Sequence, residues 1–183
     1  MPNLTHWLRR LTHGLHLLAR IALVTLFSFQ LAIAPALAPS LYSMPQTLKS
    51  DTWVVDEASQ ISRLNEGKIS AALRELAQGT GSEVRFVTIH RLDYGETVQS
   101  FAEKLLEKWF PTPAARSNQT LIVLDDVTNN IGISVGSESA GILNAELTES
   151  ITGETMKVPL LKGNQYNQSF LGATDRLVAV LSG

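Results

Sequence analysis

The sequence predicts an α/β fold: a three-layer α/β/α sandwich on a mostly parallel sheet, with one antiparallel hairpin strand. Three observations predict it. From Trp53 onward, short apolar runs alternate with segments of helical period. The order strand, helix, strand, helix, strand favours parallel pairing with helices on both faces. Leu121-Ile122-Val123-Leu124 is an unbroken apolar run, the mark of a strand buried on both sides. Asn129-Asn130 then supplies turn chemistry before Ile131, Ile133 and Val135 alternate with Gly132 and Ser134, so the chain returns beside that strand with one face buried.

The elements follow in order. Trp53-Val54-Val55-Asp56 is a short first strand or edge segment. Ser59 or Ser62 caps a helix whose inner face carries Ile61, Leu64, Ile69, Ala72, Leu73 and Leu76, and Gly79 and Gly81 stop it. Glu83 to Ile89 alternates around Val84, Phe86, Val87 and Ile89 as a strand, and Leu92 to Gly95 is loop. A second helix starts at Glu96 or Thr97. Val98, Phe101, Ala102, Leu105, Leu106 and Trp109 form its apolar face, and Pro111 and Pro113 end it. After the hairpin, Ala140 to Glu149 is predicted helical with Ile142, Leu143 and Leu147 inward, and Thr152 to Pro159 fits no single pattern. A last helix from Tyr166 to Leu181 turns Phe170, Ala173, Leu177, Val178 and Leu181 inward.

Composition bounds the function. The chain has 183 residues, no cysteine and four histidines, three of which precede residue 17. Disulfides, thiolate metal sites, cysteine nucleophiles and a multi-histidine zinc site are thereby excluded. Residues 1–38 carry Arg9, Arg10 and Arg20, the uncharged run Ile21 to Ala34, and small residues at Ala34-Pro35-Ala36-Leu37-Ala38. A basic start, an apolar centre and an A-x-A-like site describe an export signal, and an uncleaved N-terminal anchor is the other reading. Residues 39–51 are expected to be an extended linker, and 52–183 one compact domain. Acidic residues outnumber basic ones by 17 to 15 over the whole chain. None precedes Asp51. The exported part is therefore more acidic than the whole, which argues against nucleic acid as a partner.

Several motifs reduce to structure. Gly132-Ile133-Ser134-Val135-Gly136 matches a hydrolase nucleophile elbow, but the alternation carries one strand straight through Ser134 where the elbow needs a sharp turn. Gly136 to Gly141 has phosphate-loop spacing without its lysine, and no organic cofactor is expected. Asn118-Gln119-Thr120 and Asn167-Gln168-Ser169 fit the glycosylation pattern by chance. His90 ends a strand and reads as a partly exposed surface residue, with acid/base work as its functional reading. Asp56 closes the first strand, and Asp125 and Asp126 close the central one. Ligands of open parallel sheets gather outside the carboxyl ends of strands, near the point where strand order reverses. Oxygen ligands without His or Cys suit Ca²⁺ or Mg²⁺. The competing reading makes the three aspartates turn and helix-entry residues. Glu138, after the return strand, closes such a site only if its loop folds back across the edge.

Val54-Val55-Asp56-Glu57-Ala58 with Ile61-Ser62 resembles the opening motif of TPM-domain proteins. The spacing to Gly81-Ser82-Glu83-Val84 and Val87-Thr88-Ile89 is similar, as are Lys108-Trp109, Asn118 to Asp126 and Ile133 to Glu138. Together these cover roughly Trp53 to Leu181. The resemblance implies an α/β/α sandwich, export and frequently a membrane anchor. Within the family the chain looks most like the photosynthetic branch. Those proteins sit in the thylakoid lumen and help photosystem II repair or tolerate photodamage. Some relatives bind divalent cations, and a plant relative is described as an acid phosphatase. Carried over residue by residue, the family's acidic site is Asp56, Asp125, Asp126 and Glu138. The family's Gly-x-Gly-Leu-Glu run stands here as Gly136-Ser137-Glu138, and its frequent C-terminal transmembrane helix is absent up to Gly183. Two functions stand side by side. One is a lumenal accessory protein that binds photosystem II subunits or assembly intermediates at the thylakoid membrane surface. The other is a divalent-cation-dependent acid phosphatase. A periplasmic location is the alternative to the lumen.

Overall fold

The computed structural model describes Leu41 and residues 43–183, so the expected export signal lies outside the described residues. Four strands form one sheet in the order β1 (Val54–Asp56), β2 (Glu83–Ile89), β3 (Gln119–Asp125), β4 (Asn130–Val135). β1, β2 and β3 are parallel, and β4 returns antiparallel to β3. Among the described residues the strand order does not reverse.

The helices divide by face. α1 (Arg63–Thr80) connects β1 to β2 and packs with α6 (Tyr166–Leu181) on one side, where Val84, Phe86, Ile122 and Leu124 point. Phe86 and Phe170 meet edge to face there, centroids 5.1 Å apart. α2 (Val98–Trp109) connects β2 to the short α3 (Pro113–Arg116) and covers the opposite side, against Val87, Ile89, Leu121 and Val123. Period-two alternation in β2 and β3 feeds both cores at once, which is why their sequences read as continuous apolar runs. The chain leaves β1 toward one face and β2 toward the other, so their loops diverge at the C-terminal rim.

Local chemistry sets the ends. Ser62 caps α1 by accepting from the Asn65 N–H, and Gly81 closes it at φ 78°. Thr97 and Ser100 form a reciprocal capping box on α2. Asn129 takes φ 54° in the hairpin turn.

Three expectations change, and one segment left open takes a definite form. Leu64 is 70% exposed, because it lies in the first turn of α1 and burial begins at Ile69. The helix predicted over Ala140 to Glu149 is a 3₁₀ turn (Ser139–Gly141) and a separate α4 (Ala145–Glu149), restarted by Asn144 as a new cap, with Ile142 left exposed. Ser150–Met156 forms a π-helical turn that runs into α5 (Lys157–Leu161). The linker does have a hold on the core: Met44 is 2% exposed in the α2 cluster, with Leu41 and Leu48 against it. Lys108 Nζ donates to the Leu41 and Met44 carbonyls at 2.6 and 2.9 Å, and Trp109 Nε1 to the Pro45 carbonyl at 2.8 Å.

Arg85 occupies what alternation would make an apolar position. It is buried between the rings of Trp53 and Phe110, bonded to Gln119 and Glu83. Stacking and paired acceptors offset its desolvation.

Candidate functional site

Strand register brings the C-terminal ends of β1, β2 and β3 to one rim: Asp56 pairs with Thr88, and Ile89 with Asp125. Each aspartate there is held by donors from its own and neighbouring loops. Asp56 Oδ1 accepts from the Gln60 N–H at 3.0 Å and from the Thr88 hydroxyl, and its Oδ2 from the Ile61 N–H at 2.8 Å. It thereby braces the turn into α1. Asp125, 3% exposed, accepts from the N–H groups of Arg91 at 3.2 Å and Val127 at 3.0 Å and from the Thr128 hydroxyl at 2.8 Å. It closes the hairpin turn and fixes Arg91, whose φ is 69°.

Asp126 joins three elements. Its Oδ2 accepts from Gln60 Nε2 at 2.7 Å, its Oδ1 lies 2.8 Å from His90 Nδ1, and its carbonyl accepts from the Tyr166 hydroxyl at 3.1 Å. An ionised carboxylate only accepts, so Nδ1 donates in this contact and Nε2 is the nitrogen turned away from Asp126. The His90 side chain is 66% exposed, against 7% for Asp126. Burial lifts the Tyr166 hydroxyl above the ordinary tyrosine value, and the charges of Asp126 and Asp125 add to that rise. Farther along the rim, on the Asp125 side, opens a cleft of about 460 Å³, lined by Arg91, Asp93, Glu96, Asp125, Thr128 and Asn130 among others but by neither His90 nor Asp126. Lys104 reaches Glu96 at 2.7 Å.

Three of the four expected site residues therefore share a rim, and Glu138 does not. Val135 pairs with Thr120 at the start of β3, and the Glu138 N–H donates to the Ser117 carbonyl at 2.8 Å. At about 3.3 Å per strand residue, Glu138 lies roughly 20 Å from the Asp125 end. Its loop stays with α3 and does not fold back. Among the described residues no group of three or more histidines and carboxylates is placed to hold a metal. The rim aspartates face backbone N–H, hydroxyl and amide donors where a cation would need free lone pairs. The residues as arranged do not fit a four-carboxylate cage.

The other motifs resolve locally. At Gly132 a Cβ would fall 2.4 Å from the Val98 carbonyl oxygen, and at Gly136 1.8 Å from that of Arg116. Both glycines admit helix backbone, and Ser134 is a strand residue paired with Leu121. Asn118 donates to the Gly81 carbonyl, and Asn167 accepts from Ser62 and Asn65, so both glycosylation patterns are structural contacts. Sequence reasoning passed over Gln60, Thr88 and Tyr166. Their only signal was a polar group within or just before an apolar segment, and their partners are far away in the chain.

Residues 54–180 match the family model of the TPM domain. A chloroplastic UPF0603 protein of Oryza sativa subsp. indica is 28% identical over 133 residues, 73% of this chain and 44% of that protein. A chloroplastic UPF0603 protein of Arabidopsis thaliana is 25% identical over 182 residues, 100% of this chain and 62% of that protein. The chain thus spans about half the length of the curated relatives it matches. Among solved structures, the N-terminal domain of a P. gingivalis protein superposes with a TM-score of 0.67 at 22% identity, over 79% of this chain and 94% of that one. A protein of the psychrophilic bacterium Bizionia argentinensis gives 0.56 at 14% identity, over 67% and 81%. These two likenesses concern the fold.

Proposed function

The chain belongs to the TPM-domain family, and we propose that it is an accessory binding protein of the thylakoid lumen that assists photosystem II repair. The observation that carries this reading is the state of the rim. Asp56, Asp125 and Asp126 are all engaged by donors inside the chain, so the rim is a braced surface with an adjoining open cleft. Loops positioned by a scaffold in this way serve recognition. The chloroplastic naming of the plant relatives supports a plastid setting. No helix of the described residues is long and apolar enough to cross a membrane. In this reading the domain works at the thylakoid membrane surface, on photosystem II subunits or assembly intermediates. Co-fractionation with those intermediates tests it. A deletion strain that recovers from high light as fast as the parent would count against it.

The His90–Asp126 pair favours a second reading, acid phosphatase chemistry, whose divalent-cation dependence the braced aspartates do not support. A carboxylate-oriented imidazole that is largely in solvent is suited to proton transfer. In this reading the imidazole takes or gives a proton at Nε2, while Asp126 holds the ring in place. Turnover of a chromogenic phosphate ester, with and without chelator, decides the matter against His90→Ala and Asp126→Asn. Activity that survives both substitutions removes the pair from the reaction.

A further inference from the structure

Among the described residues the sheet has two open edges, and β4 is the longer, six residues against three for β1. Outward backbone groups on an edge strand can pair with another chain, so proteins usually blunt such edges with charge, proline or a bulge. β4 has none of these. It reads Asn-Ile-Gly-Ile-Ser-Val, and its ladder with β3 runs without interruption from Thr120↔Val135 to Asp125↔Asn130.

One side chain covers the middle of that edge. Gln99 Oε1 accepts from the Ile133 N–H at 3.0 Å, and Gln99 Nε2 donates to the Ile133 carbonyl at 2.9 Å. A strand residue in a hydrogen-bonded antiparallel pair makes the same two bonds with its opposite number. Glu103 holds the amide in place, accepting from Nε2 at 2.8 Å. The approach depends on Gly132, where a side chain would collide with the backbone of Val98 and Gln99. Strand alternation turns the backbone groups of Ile131 and Val135 toward the same edge.

We propose that Gln99 is a strand mimic that keeps this protein monomeric, and that the edge it guards fits β4 of a second copy. Symmetry selects that occupant. Antiparallel pairing about a two-fold axis at Ile133 sets this residue against its own counterpart as a hydrogen-bonded pair. The two bonds formed are those the Gln99 amide now supplies. No charge on β4 opposes the approach, and the two sheets would join into one.

The test is Gln99→Leu, which keeps the side-chain volume and removes both polar atoms. Gln99 is exposed in the first turn of α2, so neither core loses a contact. Wild type is expected to stay monomeric in sedimentation and light scattering. Gln99→Leu is expected to double its mass as concentration rises, with new hydrogen-exchange protection at Ile131, Ile133 and Val135. Adding Ser134→Lys, which places a charge on the strand, is expected to restore the monomer. A folded Gln99→Leu that stays monomeric at the highest concentration overturns the proposal. So does wild type that already pairs through β4, or a variant that forms open-ended fibres. Circular dichroism reports folding, and if Gln99→Leu does not fold, Gln99→Ala is read by the same criteria.

Discussion

His90 Nδ1 lies 2.8 Å from Asp126 Oδ1, with the imidazole largely in solvent and the carboxylate almost wholly withdrawn from it. The buried partner orients the exposed one. It also ties the loop after β2 to the loop after β1, because the other oxygen of Asp126 holds Gln60. The rim is therefore a network, and its members should fail together.

Asp126→Ala leaves the Gln60 amide with the Ala58 carbonyl alone and His90 without its guide. We expect a loss of about 1–3 kcal/mol in urea unfolding. Asp125→Ala should cost at least as much, since the N–H groups of Arg91 and Val127 lose their acceptor together. Glu138→Ala, at the far end of the sheet, should stay within about 0.5 kcal/mol. A Glu138→Ala loss as large as that of Asp126→Ala would contradict its placement.

Gly136→Ala drives a methyl into the Arg116 carbonyl, where backbone cannot yield cheaply. A destabilisation of about 1–3 kcal/mol is expected. Gly141→Ala enters open space and should be neutral or stabilising by up to about 1 kcal/mol. Thermal unfolding of the two variants side by side measures the contrast, and equal effects would remove the packing explanation.

Met44→Ala examines whether the N-terminal segment is part of the domain. Truncating a side chain that is 2% exposed should cost about 2–5 kcal/mol. Loss of hydrogen-exchange protection should follow in the last turn of α2, around Lys108 and Trp109. An unchanged unfolding midpoint would return the segment to the status of a free tether.

Tyr166 supplies a pH signature. Its hydroxyl holds its proton more tightly in the folded chain than in the unfolded one, chiefly through burial. The resulting stabilisation is complete below the unfolded value of about 10 and is lost as pH rises through the raised folded value. Tyr166→Phe should cost about 0.5–1.5 kcal/mol at neutral pH, through the lost bond to the Asp126 carbonyl. Above pH 10 the variant should lose less stability than wild type. Parallel alkaline unfolding curves for the two proteins would rule this out.

Much of the architecture is legible in the residues alone. The apolar run of β3, the alternation in β2 and β4, the Asn-Asn turn and the helical faces of α1, α2 and α6 identify the layers, because period and burial are local properties. The collection of Asp56, Asp125 and Asp126 at one rim also follows, since parallel strands end together. Glu138 could have been excluded on the same grounds: an antiparallel return carries the chain back to the other end of the sheet. The part that only tertiary structure decided is where each polar group finds its partner. Gln60 meets Asp126 across 66 residues, Tyr166 across 40, and Gln99 meets Ile133 across 34. Periodicity says which face a side chain takes. It carries no information about which distant loop will arrive within 3 Å of its tip. Loop paths and strand register set that, and they determine whether an aspartate at a strand end braces a turn or stands free to bind.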